Sequence, residues 1–342
     1  MVQLYKRSPV DLRPLLGVRP RRIAKALGLI ASGYALLQDA GWGGPARASA
    51  TGLLEWLVEE RRLNGDPRAW GYEFDVQTRW AFYPAGTPNV IVTTFVGTAF
   101  LDWHQRSGSP QELTVALEAA DFIADSLTVQ GGGSSHIGYV PGVLTLIHNA
   151  NALGAGYLAR VGVAAGRQDL VEAAREALQP TLTAQRVDGL WGYGEGQNLA
   201  WVDGFHTAYV LVGLLDVWRA TGDPLVLDVL RRGTAAYVVR LFHDDGVPRY
   251  SERSVWPIDV HCASSGIDAL TRLAEIDERC LPMARRVARW SLDNLYDGRG
   301  WFVYQKTQWY VNRIPYIRWS QAHMFRALAR LLATDAQGAG SP

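Results

Sequence analysis

Disulfides, a charge surplus and a long apolar run are all missing from this chain. Its 342 residues include two cysteines, Cys262 and Cys280. Two cannot staple a fold of this size, and no CxxC pair is present to begin a zinc or redox site. A reducing compartment is therefore expected, with cytoplasm as the default. Lys plus Arg number 34 against 33 Asp plus Glu, for a net charge of +1. A nucleic-acid groove usually needs a basic surplus, so no nucleic-acid partner is expected. The basic clusters Arg19, Arg21, Arg22 and Arg285, Arg286, Arg289 read as solvated helix faces. Residues 1–22 hold basic side chains but no apolar h-region with a cleavage site. The stretch from Ile23 to Leu37 is apolar, yet Lys25, Gly28, Ser32 and Gly33 interrupt it, and it is too short for a membrane span. Several catalytic signatures are absent too: no P-loop, no Gly-x-Ser-x-Gly elbow, and no Asp-x-Asp-Asp or Asp-Asp-x-x-Asp run. Gly131 to Ser135 is Gly-rich, but it reads as an inter-repeat turn without a preceding strand, not a phosphate cradle.

What is plentiful is aromatic. Thirteen Trp and fourteen Tyr accompany a hydrophobic content of 48%, enough for a well-filled core. A short signal returns five times: Trp70-Gly71-Tyr72, Ile137-Gly138-Tyr139, Trp191-Gly192-Tyr193, then the weaker Pro248-Arg249-Tyr250 and Phe302-Val303-Tyr304. The tyrosines lie 67, 54, 57 and 54 residues apart. A period this long indicates one supersecondary unit repeated, with neighbours burying a shared core.

Apolar spacing at three and four residues predicts helices over 21–40, 47–64, 90–106, 110–128, 143–162, 167–186, 204–221, 224–242, 260–276, 278–296 and 316–334. Gly108, Gly166 and Gly222 mark stops, with Pro110 and Pro224 opening the next helices. The Tyr-containing loops have room to pair as short strands. From 90 onward the helices alternate between two kinds. One kind is apolar on nearly all sides and must be buried; the other carries a charged face and borders solvent. About six such pairs make a closed all-α toroid, a buried inner ring inside an amphipathic outer ring. The last outer helix is missing, so closure brings the final inner helix beside the first pair. The expected organisation is an N-terminal extension (1–20), one toroid domain (21–335) and a flexible tail (336–342).

In this repeat, this alternation and these loops, the chain resembles the six-hairpin, or (α/α)6, toroids of carbohydrate-active enzymes. Trp201-Val202-Asp203-Gly204-Phe205-His206-Thr207 and Arg318-Trp319-Ser320-Gln321 look like a bacterial branch found with polysaccharide-processing genes. The resemblance implies a glycan substrate. It does not fix the reaction, since one fold hosts many chemistries.

Polar residues recur where the inner helices begin, and those ends converge at one mouth of a toroid. The expected result is a cleft with aromatic walls and a polar floor. Asp203, Asp259, His206 and His261 are the candidate catalytic residues. Asp203 and Asp259 each precede an apolar run and so read equally as helix N-caps; on adjacent inner helices they could also form the carboxylate pair of a glycoside hydrolase. An Asp–His pair suits base plus orienter. Candidate substrate contacts are Trp70, Tyr72, Arg79, His148, Trp191, Tyr193, Tyr250, Tyr304, Arg318 and Gln321. The cations and the helix N-termini make an acidic sugar attractive. Hydrolysis of a glycosidic bond is the central expectation. Uronate C5-epimerisation or elimination is the alternative, and a non-catalytic glycan-binding protein or an isoprenoid cyclase are readings of other classes. No cofactor is expected. His148, His206, His261 and His323 lack the local HxxxH or HxH spacing of a zinc site, so no metal is expected either.

Overall fold

The computed structural model describes residues 8–61, 65–78, 80–131 and 133–339. Among them are eleven α-helices: α1 (Ala24–Asp39), α2 (Gly43–Arg61), α3 (Val90–Ser107), α4 (Pro110–Phe122), α5 (His148–Ala165), α6 (Gln168–Thr183), α7 (Gly204–Thr221), α8 (Pro224–Arg240), α9 (Val260–Arg272), α10 (Cys280–Asn294) and α11 (Ala322–Ala339). The odd-numbered helices contact one another in sequence, and α11 returns to α1, closing an inner ring of six. Helices α2, α4, α6, α8 and α10 pack outside their partners. From α3 onward the ring is the buried set that the alternation predicts, α1 joins it to make six, and the fold is the (α/α)6 toroid.

Closure rests on named contacts. The Tyr34 and Phe325 rings meet edge-on at 5.0 Å. Arg326 Nε donates to Ser32 Oγ at 2.9 Å, and Ser32 Oγ donates onward to Asp102 Oδ2 at 2.5 Å. Inner helices approach closely where side chains are smallest. A Cβ on Gly156 would stand 2.9 Å from the Cα of Gly213, and one on Gly213 would run into the Ala152 carbonyl. The caps behave as the sequence suggests: Gly108, Gly166 and Gly222 end α3, α5 and α7 in the left-handed region, at φ 68°, 68° and 66°.

The repeat has a mechanical reason. The first N–H groups of a helix need acceptors from outside it. Val90, His148, Gly204 and Val260 open α3, α5, α7 and α9. Their N–H groups donate to the carbonyls of Tyr139, Tyr193, Tyr250 and Tyr304, at 3.0, 3.0, 3.2 and 3.2 Å. Each tyrosine loop thus caps the inner helix of the hairpin it follows. In the first repeat a side chain takes over: Glu73 Oε1 accepts the Ala24 N–H that opens α1. The loops also pair as short antiparallel strands, β1 (Val76–Gln77) with β2 (Phe82–Tyr83), β3 (Thr128–Gly131) with β4 (Ser134–Ile137), and β5 (Ile258–Asp259) with β6 (Gln305–Lys306) and then β7 (Val311–Asn312).

Two helix starts differ from the sequence reading. The segment predicted to begin α5 at 143 is extended up to Ile147, because Ile147 bridges to Gly194 and the Glu195 N–H donates to the Leu146 carbonyl. The last inner helix does not start at 316. A π-helical turn spans Ile317–Gln321, with the Ala322 N–H reaching back to the Ile317 carbonyl, and Pro315 lies before it instead of in a first helical turn. Such wide turns re-aim side chains; here the turn carries Arg318 and Trp319 into the mouth of the ring.

Candidate active site at the inner-helix N-termini

The N-termini of all six inner helices meet at a cavity of about 170 Å³. Tyr72, Tyr139, Tyr193, Tyr250 and Tyr304, one from each loop, stand around it; among the described residues Lys25 and Arg318 are the basic side chains on its lining. Its lining includes His206, Phe205, Tyr209, His261 and Asp259. The tyrosines arrive together because their carbonyls cap the helices that form the floor.

Asp203 is the N-cap of α7, as its sequence position allows, and it also holds a histidine. Its Oδ1 accepts the His206 N–H at 2.9 Å. Its Oδ2 lies 2.7 Å from His206 Nδ1 and accepts from Trp201 Nε1 at 3.2 Å. A carboxylate there assigns the proton to Nδ1 and leaves the Nε2 lone pair available. Asp259 does the matching work on α9: Oδ1 accepts the His261 N–H at 2.7 Å and Oδ2 accepts from Gln305 Nε2 at 2.5 Å. Both carboxylates are therefore engaged by caps and neighbours.

The imidazoles form an arc with aromatic rings between and beyond them. His206 lies edge-on to Tyr193 at 4.6 Å and beside Phe205 at 3.9 Å. Phe205 stacks on His261 at 4.5 Å, and His261 lies 4.3 Å from His323. The Tyr209 hydroxyl is 2.6 Å from His261 Nε2 and 3.5 Å from His323 Nε2. His323 meets Phe95 edge-on at 5.4 Å, and Lys25 Nζ sits 4.7 Å from the centre of that same ring. Burial pushes His323 well below the usual histidine range, and the positive charges of Lys25, Arg326 and Arg318 act in the same direction. At neutral pH it is an uncharged imidazole.

The other candidates divide by where their side chains go. Arg318 stacks its guanidinium at 4.9 Å from Tyr72, 4.8 Å from Phe74 and 4.4 Å from Trp319, at the cleft. Trp70 and Trp191 are not on the cleft but in the core. Their indole N–H groups donate at 2.8 Å to the carbonyls of Leu57 in α2 and Thr181 in α6, so the Trp of each motif anchors an outer helix while the Tyr two residues on faces the ring. His148 is fully buried between Thr181 Oγ1 (3.2 Å) and Glu195 Oε1 (3.1 Å), away from the cavity. Gln321 clamps the backbone of Phe302, accepting from its N–H at 2.9 Å and donating to its carbonyl at 2.8 Å. These four have structural partners where the sequence suggested substrate. Arg79 lies outside the described residues.

Lys25, Tyr209, Phe205 and Asn149 line the cavity without having been singled out as contacts by sequence reasoning. Asn149 Oδ1 is buried with no partner. For Lys25 a signal existed: it is the lone charge in the apolar stretch from Ile23 to Leu37. Among the described residues no group of three or more His, Cys, Asp and Glu side chains is placed to hold a metal ion, and no helix is long and apolar enough to cross a membrane.

No protein-family model matches the chain, and no curated protein matches it by sequence. Solved structures do. A cellobiose 2-epimerase from Spirochaeta thermophila is 16% identical, with 91% of this chain and 86% of that one covered, at a TM-score of 0.63. A GH76 α-mannanase from Bacteroides thetaiotaomicron is 11% identical over 94% and 89% of the two chains, at 0.72. An unsaturated glucuronyl hydrolase is 13% identical over 90% and 95%, at 0.65. At these identities the likeness is one of fold: the chain is an (α/α)6 toroid, the architecture shared by these carbohydrate-active enzymes.

Proposed function

We propose that this protein is a sugar epimerase, working by proton transfer at a carbon next to a carbonyl group. The observation that carries the reading is the pair of imidazoles on the cleft lining, His206 held by Asp203 and His261 backed by His323. One imidazole takes the proton from carbon. The C–H electron pair moves into the adjacent carbonyl to give an enediolate, and a second imidazole returns a proton to the opposite face. Nothing is oxidised or reduced overall. Imidazoles suit both steps: the first gives its proton up to solvent, the second draws its proton from solvent, and Tyr209 ties His261 to His323 behind it. Stacking of the sugar on the tyrosines would hold the ring over this floor. The presence of cellobiose 2-epimerases among the structural neighbours is consistent with the reading.

Hydrolysis by Asp203 and Asp259 is less well supported. A general acid must release a proton to the leaving group and a base must reach water, whereas all four carboxylate oxygens here already accept hydrogen bonds. Incubation of neutral and acidic sugars in deuterated water, followed by mass spectrometry, tests the choice. The expected result is one carbon-bound deuterium per epimerised sugar without cleavage. Cleavage into saturated products would replace this reading with hydrolysis, and unsaturated products with elimination.

A further inference from the structure

Among the described residues two basic side chains, Lys25 and Arg318, line the cleft. Lys25 is only 4% exposed, on the first turn of α1. Burying an ammonium costs several kcal/mol unless a partner offsets it, yet the described residues offer Lys25 no ion pair, and burial pushes its ammonium well below the usual lysine range. Its Nζ faces the Phe95 ring, which compensates only in part. Arg318, the other cation on the lining, touches three aromatic faces and likewise makes no ion pair among the described residues. The acids nearby are occupied. Asp259 caps α9 and accepts from Gln305. Glu73 feels the charge of Arg318, but its Oε1 is committed to the α1 N-terminus and burial pushes its carboxyl upward. Arg318 also acts unfavourably on Lys25. The cavity therefore sets two basic side chains, without ion pairs among the described residues, beside aromatic rings and on the same lining as Asp259. Asn149 Oδ1, buried and without a partner, is a further polar group at the same cavity.

We infer that Lys25 and Arg318 form the seat of a carboxylate, so that the substrate is a uronic acid or a glycan bearing one. This deepens the epimerase reading, on which it rests for the reaction, by naming the substrate class. A carboxylate at this seat supplies the missing negative charge. It also places its own neighbouring carbon in the cavity that His206 and His261 line. Two cations on the carboxyl group stabilise the negative charge that develops there when that carbon loses its proton.

The test is equilibrium binding, which needs no turnover. Glucuronate, galacturonate and mannuronate are titrated into the protein by calorimetry, each beside its methyl ester, with glucose 6-phosphate as the rival anion. At least one uronate should bind about tenfold or more tightly than its ester, the size expected of a charge-assisted contact, and added salt should weaken it. Lys25→Met and Arg318→Gln should each abolish the preference. Lys25→Met should fold at least as stably as the parent, because it removes a buried uncompensated cation; if it fails to fold, Arg318→Gln alone decides. Equal affinity of acid and ester in all three pairs, absence of binding, survival of the preference in the variants, or tighter binding of the sugar phosphate would each overturn the seat. Acid-selective binding without deuterium uptake would leave the seat standing and remove the epimerase reading instead.

Discussion

Replacing Asp203 by Asn separates the two jobs of that residue. Asn is as good an N-cap as Asp, so the start of α7 should survive. The second job should not. In the parent, one carboxylate oxygen accepts the His206 N–H while the other serves His206 Nδ1 and Trp201 Nε1. An amide puts an NH2 group in one of those places. If it faces Trp201 and His206, a donor meets the indole N–H and the imidazole must turn its Nδ1 lone pair inward, moving its proton to Nε2. If it faces the helix, the cap is lost instead. Losing a buried hydrogen bond to a charged group costs about 1.5–3 kcal/mol, and Asp203→Ala should cost about 1 kcal/mol more because the cap goes as well. Denaturant unfolding measures both. Loss of a correctly held general base should lower turnover of the sugar substrate by about 10²–10⁴-fold. Nitrogen-15 NMR of the histidine side chains reads the tautomer directly: His206 should carry its proton on Nδ1 in the parent and on Nε2 in the Asn variant. An unchanged tautomer with no loss of stability, or a loss of turnover below tenfold, would refute the assigned role of Asp203.

Two further expectations concern the scaffold. Gly213→Ala should destabilise by about 1–3 kcal/mol, the usual cost of overpacking, because its methyl group meets the Ala152 carbonyl on the facing helix; an unchanged melting temperature would show that α5 and α7 are not locked at this point. At the far end of the ring, Arg160 pairs with Asp102, Arg272 with Asp216, and Arg326 and Arg330 with Asp268. Burial alone would push Asp268 up, but Arg326, Arg330 and Arg272 together hold it well below the usual carboxylate range; Asp102 is lowered against its burial by Arg160, Arg326 and Arg330. A depressed carboxyl stabilises the fold fully above its unfolded value near 4 and progressively less as the pH falls toward its folded value. Stability should therefore fall from about pH 4 downward, and Asp268→Asn should flatten that slope while lowering stability at pH 7. Parallel acid-unfolding curves for parent and variant would contradict this.

The tyrosine repeat was legible in the sequence because it does two things at once. Its carbonyl caps an inner helix through the backbone, which any residue supplies, but the Gly before it and the aromatic before that are demanded by packing. Gly71 and Gly138 lie where a Cβ would strike backbone at 2.9 Å or less, and a Cβ on Gly192 would stand 3.3 Å from the Cα of Ala200. The side chain of the same tyrosine is then delivered to the cleft. Trp70 and Trp191 misled for a related reason: an indole in a loop has an apolar body and one donor, which fit a buried helix end as well as a sugar. His148 and Gln321 likewise satisfy buried neighbours whose positions no local pattern announces.

The sequence by itself determined the alternation of buried and solvent-facing helices, their glycine stops, and the end of the ring where polar residues gather, because these follow from local periodicity and capping. Only the tertiary structure decided which polar groups remain available. That depends on partners far apart along the chain: Gln305 occupies Asp259, Glu73 crosses to Ala24, and His261 and His323 meet at 4.3 Å across 62 residues of sequence. It also left Lys25 buried without an ion pair among the described residues, since a carboxylate distant in sequence is near or far only after the ring closes.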